Sequence, residues 1–235
     1  YDEYDEQHTG ISLSLTSRIQ SGMLNNWRFT RGVRLESVEV ETEDDVSAQL
    51  MAEETSDFVS ALFFNFSKDT RNRVRRPTKG GRFSIMTDFQ TEALGSENNT
   101  YKLRLTASEY ISVFEESVIK FKGEIGVVDA LNGDVPIYDR FFAGGLNSLR
   151  GYKHRKVGPA DINKDELGGS STLLGTIELD VPLFKKVNGA LFMDVGNVWE
   201  KAYGWDPSDI NVTLGLGVRV DLPIGTLQLD YGKPV

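Results

Sequence analysis

Arg150 lies between Leu149 and Gly151 at the end of the stretch FFAGGLNSLRGY, Phe141 to Tyr152, and two acids, Glu178 and Asp194, follow it downstream. A guanidinium is planar, permanently charged and carries five N–H donors in a fixed fork. It can therefore take two carboxylates at once through charge-assisted bonds. No covalent bond changes in that chemistry; it ties one segment of chain to another. An Arg at a glycine-flanked tip ordinarily faces water, where such a pair contributes a fraction of a kcal/mol. Sequestered from bulk solvent the same pair counts for more, although desolvation offsets part of the gain.

Other reactive constellations are missing. The sequence has no cysteine, so disulfides, thiolate metal sites and Cys nucleophiles are all excluded. His8 and His154 are far apart and neither has a partner at ligand spacing, so no metal site is expected. There is no Gly-x-Ser-x-Gly elbow. Gly144-Gly145 and Gly168-Gly169-Ser170-Ser171 are not followed by the Lys-Ser/Thr of a phosphate loop. The acids Glu178, Asp180 and Asp194 suggest a glycosidase pair, but the loop Arg accounts for at least two of them better. The expectation is a protein without catalysis and without a cofactor. A net charge of −9 also argues against a nucleic-acid partner, which needs clustered Lys and Arg. The one basic run, Arg71 to Arg76, reads as a solvated turn, with a contact to anionic headgroups or a partner as the alternative.

The elements that position Arg150 and its acids are strands. From Ile210 to Leu222 every even position is aliphatic, while the odd positions are Asn211, Thr213, Gly215, Gly217, Arg219 and Asp221. A period of two over that length cannot be a helix stripe. After the Pro223-Ile224-Gly225 turn, Leu227, Leu229 and Tyr231 oppose Gln228, Asp230 and Gly232. Glu178 and Asp194 stand on the polar faces of two earlier strands, opposite Ile177, Leu179 and Val181 and opposite Leu191, Met193 and Val195. Similar alternation runs back to Ile11, Leu13 and Leu15, giving about eleven strands and no convincing helix. Many are ten residues or longer, beyond the usual soluble strand and matched to a tilted membrane strand. The polar face is rich in Gly, Ser, Thr and charges of both signs, as a water-filled lumen requires, and aromatics such as Phe141, Phe142, Trp199, Tyr203 and Trp205 gather near strand ends. The fold class is thus all-β, an antiparallel transmembrane β-barrel; a soluble β-sandwich is the alternative. The irregular stretch 129–170 is long enough to be functional. Its segment 161–166 has a mobile composition, whereas Phe141, Phe142, Gly144 and Gly145 are the expected anchors of an ordered loop folded into the lumen.

Phe141 to Tyr152, followed by Val157-Gly158-Pro159, resembles the lumen-inserted loop of the outer-membrane protein assembly superfamily, the bacterial surface antigen family that includes the BamA, TamA, mitochondrial Sam and chloroplast Toc barrels. The family tip, Arg-Gly-Phe/Tyr, corresponds to Arg150, Gly151 and Tyr152. The resemblance continues through Leu174–Pro182, Ala190–Trp199 and Leu227–Pro234, and it implies that Glu178 and Asp194 are the acidic partners of Arg150. It implies a barrel of about sixteen strands, of which residues 1–235 are the C-terminal transmembrane domain without the first strands, the POTRA modules or the last strand. It implies a factor of the bacterial outer membrane, or less directly of an organelle, that inserts or translocates nascent outer-membrane proteins among membrane lipids and accessory subunits. The alternatives are a two-partner-secretion exporter pore and the barrel anchor of a patatin-like phospholipase.

Overall fold

The computed structural model describes residues 4–43, 46–114, 116–223 and 225–235. Ten strands run in chain order: β1 (Tyr4–Arg18), β2 (Arg28–Thr42), β3 (Thr55–Asp69), β4 (Gly80–Gln90), β5 (Thr100–Ser112), β6 (Val118–Ala130), β7 (Ser171–Phe184), β8 (Val187–Trp199), β9 (Asn211–Leu222) and β10 (Gly225–Pro234). They form one sheet in which each strand pairs antiparallel with its chain neighbours, leaving β1 and β10 at the edges. Among the described residues the count is ten against about eleven expected, and 131–170, read as irregular, contributes only isolated bridges such as Phe141 with Gly169. Helical structure among the described residues is confined to a single turn, α1 (Ala48–Met51), and short 3-10 segments.

Alternation sorts the side chains by face. On β9, Leu214 and Leu216 are more than half exposed, at 51% and 57%, while Thr213 and Arg219 are buried. The same holds for exposed Leu191 against buried Phe192 and Asp194 on β8, and for exposed Ile177 against buried Glu178 on β7. A soluble sandwich hides its apolar face against a second sheet. Here no second sheet exists among the described residues, and the aliphatic face points outward over the whole width, from Ile11, Leu13 and Leu15 on β1 to Leu227 and Leu229 on β10. A continuous outward patch of this extent is a lipid-contacting surface.

The inward side is where the core lies. Loop 131–170 is laid against the sheet, and its apolar residues make two buried clusters. In one, Ile137 and Leu167 join Tyr4, Val38, Val40 and Val59 of β1 to β3. In the other, Phe141, Leu149 and Val157 join Val128 and Val198 of β6 and β8. At one end of the sheet lie 19–27, 70–79 and the short connections 113–117, 185–186 and 223–224; at the other lie 43–54, 91–99, 131–170 and 200–210, which are longer on the whole. That asymmetry is usual for outer-membrane barrels, whose short turns face the periplasm.

The face assignment is testable by charge insertion. Leu214→Arg places a cation on the outward face and should lower the unfolding free energy in lipid vesicles by about 2–4 kcal/mol. Denaturant titration with tryptophan fluorescence measures it; an unchanged midpoint would mean that this face meets water.

Candidate functional site

The loop reaches the site by local hydrogen bonding that its glycines permit. Phe141 and Gly169 exchange backbone bonds of 2.8 and 2.9 Å, closing the neck. Gly144 and Gly145 have φ of +110° and +87°, values an L side chain resists. They let Gly144 N–H donate to Ser148 Oγ at 2.8 Å and Gly145 N–H to the carbonyls of Leu149 and Tyr152 at 3.2 Å. The tip is thus wound on itself, with Leu149 fully buried beneath it. Phe142 is covered by the Arg155 guanidinium, 3.3 Å from the ring centroid, and Phe141 lies beneath Lys102 and Arg104.

Winding the tip points Arg150 at the inward faces of β7 to β10. Its Nε and Nη2 donate to the two oxygens of Asp194 at 2.7 and 2.8 Å, a fork-to-fork pair, and its backbone N–H donates to Asp194 Oδ2 at 3.1 Å. Nη1 donates to Glu178 Oε2 at 2.5 Å and to Asp230 Oδ2 at 3.3 Å. The plane rests on the Phe192 ring, 3.4 Å from its centroid. Arg219 completes the cluster by donating to Asp230 at 2.5 Å and to Glu178 at 3.2 Å, and Lys120 lies 3.4 Å from Glu178. Three acids thus face three cations. The arrangement ties the loop tip to β7, β8 and β10 of the wall through ion pairs.

Small residues on the wall make room. A Cβ on Gly151 would lie 2.7 Å from the carbonyl oxygen of Gly232, and one on Gly232 would lie 2.8 Å from the Arg150 carbonyl. Loop backbone therefore sits directly on the backbone of β10. Gly151 also has φ of +95°, so no other residue suits the position. Next to it the Tyr152 hydroxyl donates to Asn211 Oδ1 at 3.0 Å, on β9.

The base of the loop is held to the opposite wall. Gln90 Nε2 donates to both oxygens of Asp139, at 3.0 and 2.8 Å, Thr100 Oγ1 donates to it at 3.2 Å, and Lys102 Nζ donates to its carbonyl at 2.5 Å. Burial pushes the Asp139 carboxyl above the usual carboxylate range, against the pull of Lys102. Tyr138 donates to Asp57 at 2.7 Å and Arg140 to Glu53 at 2.6 Å. The segment 161–166, of mobile composition, is tied into a turn: Asp161 Oδ1 accepts from the N–H groups of Asn163 and Asp165 at 2.8 Å.

The structure brings Arg150, Glu178 and Asp194 together, with Gly151 and Tyr152 beside them and Phe141, Phe142, Gly144 and Gly145 in the neck and turns of the same loop. Sequence reading passed over Asp230, Arg219, Lys120 and Phe192 at the tip and Asp139 at the base. Asp230 and Arg219 stand on polar faces that alternation does reveal, but only strand register, which sets Gly217 opposite Asp230, shows that they meet Arg150.

A wide antiparallel sheet with an aliphatic outward face, a charged inward face and an ion-paired loop laid along it defines a β-barrel protein of the outer membrane. The Omp85 superfamily domain matches residues 1–235, and the chain belongs to that family, whose members reside in bacterial or organellar outer membranes. Among curated relatives, the outer membrane protein assembly factor BamA of Nitratidesulfovibrio vulgaris is 26% identical over 243 residues, covering 100% of this chain and 30% of its own length. Among solved structures, BamA from Haemophilus ducreyi lacking POTRA domains 1-3 superposes with a TM-score of 0.80 at 23% identity, over 99% of this chain and 51% of that one. CdiB from Acinetobacter baumannii gives 0.63 at 14%, over 99% and 39%. The chain thus spans about a third of the curated relative and about half of the BamA structure.

Removing one side of this cluster strands charges. Arg150→Ala leaves Glu178 and Asp194 without their main partner and should weaken seating of the tip by about 3–5 kcal/mol. Gly151→Val should unseat it by collision with Gly232. Both are expected to keep the heat-modifiable migration of an intact barrel while exposing loop 153–166 to protease. A loop as resistant as in the wild type would remove the case for the cluster as its anchor.

Proposed function

We propose that this chain is the membrane part of a BamA-like assembly factor, which helps nascent outer-membrane proteins fold and insert without breaking or forming a bond. One observation carries the reading: a single guanidinium, borne on an infolded loop, joins β7, β8 and β10 at once, while the base of that loop bonds to β3, β4 and β5. An assembly factor has to offer a strand edge to its client, because unpaired backbone is not tolerated in lipid and an exposed edge templates a new strand. Offering an edge weakens a sheet unless something else keeps the wall in shape. In this reading the loop is that brace: Arg150 clamps Asp194 and Glu178, Gly151 allows backbone contact, and Tyr152 fixes the tip laterally. Client strands, surrounding lipids and accessory subunits on the short-turn side are the partners it implies. The weaker likeness to CdiB concerns the fold alone, so an exporter is not the reading adopted here.

The test uses the full-length protein in cells depleted of their own copy. Arg150→Ala is expected to reach the membrane at normal levels yet reduce the yield of folded client barrels severalfold. Arg150→Lys, which keeps the charge but loses the fork, should fall between the two. Full client assembly by Arg150→Ala would refute the brace.

A further inference from the structure

The connection 70–79 between β3 and β4 carries Arg71, Arg73, Arg75, Arg76 and Lys79 in a chain whose net charge is −9. It is a solvent-exposed turn, as its composition suggests, and an internally bonded one. Asn72 organises it, its side-chain oxygen accepting from the N–H groups of Thr78 and Lys79 at 3.0 and 3.3 Å, and Ser112 Oγ donates to the Thr78 carbonyl at 2.9 Å. Arg71 is neutralised by Asp69 at 2.7 Å.

Arg76 behaves differently. It holds a φ of +46° immediately before Pro77, a combination that its bulk and the following ring both oppose. From there its guanidinium pairs with Asp221 of β9. The Asn188 amide oxygen of β8, in the orientation that satisfies the group, accepts from Arg76 Nη1 at 3.0 Å. Backbone held out of its preferred region by partners on another element is a mark of functional sites. Beside it, Arg73 and Arg75 have no ionic partner among the described residues. With Lys185 they line a cavity of about 990 Å³ that extends inward to Glu178 and Arg219 of the loop cluster, where Arg73, Arg75, Arg76, Lys120, Lys185 and Arg219 outnumber the acids Glu116, Glu178, Asp180 and Asp221.

We propose that this mouth, at the short-turn end, is a docking site for an acidic polypeptide segment. Asp221 shows what the site takes, a carboxylate on Arg76, and Arg73, Arg75 and Lys185 stand ready for others in the same run. The occupant is polypeptide, not lipid headgroup, because the cations border the inward cavity and Arg76 points away from the aliphatic outward face. The volume lies at the upper end of small-ligand sites, about 300–1,000 Å³, which admits a short stretch of chain.

The full-length protein in phosphatidylcholine nanodiscs is titrated with a fluorescent oligoglutamate peptide, its oligoglutamine counterpart and phosphatidylglycerol vesicles, in about 0.15 M salt. Anisotropy should show the glutamate peptide binding and the glutamine peptide weaker by about tenfold or more. Arg73→Glu with Arg75→Glu should lose about tenfold in affinity for the glutamate peptide, and Arg73→Gln with Arg75→Gln should fall between. Lys201→Glu, in the connection 200–210 at the far end, should change nothing. Heat-modifiable migration checks that each variant is folded. Equal binding of the two peptides, affinity of the double charge reversal within about twofold of wild type, or an arginine dependence seen only with the vesicles would each overturn the proposal.

Discussion

A charge taken out of water has to be neutralised where it lies, and this constraint organises the inward side of the sheet. Arg150 is 8% exposed and Asp194 not at all, so neither tolerates the absence of the other. The cluster sets Arg150, Arg219 and Lys120 against Glu178, Asp194 and Asp230; of the six only Arg150 comes from the loop, and it alone pairs with Asp194. Apolar contacts alone would hold the loop in many similar positions. Directed donors and a fixed fork select one. The glycines follow from the same demand: at Gly151 and Gly232 a side chain on either backbone would hold the fork away from its acids.

The loop also resolves a difficulty of hollow sheets. A polar lumen has no apolar interior, so the wall lacks the usual reason to keep its curvature. Loop 131–170 supplies two small cores and two polar anchors, one on the Asp139 side and one on the Arg150 side, and each core packs against a different part of the wall. Loop and wall are thereby joined from within, while the outward face remains apolar, aliphatic with interspersed aromatics such as Phe58, Phe89 and Phe121. Phe192 fits this division: an inward aromatic on a polar face, it serves as the platform beneath a guanidinium.

Much of this was legible in the residues. A period of two fixes strands and faces without any knowledge of pairing, which is why Leu214 and Asp194 fall on the sides expected of them. The glycine-rich tip with its single Arg announced a folded loop, and the resemblance to a known barrel family pointed to the same acids. What escaped depended on register or on single dihedral angles. Asp230 looked like any other polar-face residue until β10 was set against β9. Asp139 had no pattern at all, because its partners Gln90, Thr100 and Lys102 come from two strands far away in sequence. Arg76 is solvent-exposed as read, but nothing in a run of arginines reveals which one adopts a left-handed backbone and pairs with Asp221.

The two ends of the lumen respond differently to their surroundings. Around Arg150 the ion pairs are enclosed by ring and wall, so mobile counterions, whose influence spans about 8 Å at physiological ionic strength, have no path between the partners. The Arg76–Asp221 pair is 38% and 35% exposed, and dissolved electrolyte reaches it freely. Ionic strength therefore acts as a selective tool on this molecule. It weakens the Arg76–Asp221 pair and leaves the buried pairs around Arg150 in place, so the two ion-paired regions of this inward surface differ in their sensitivity to salt.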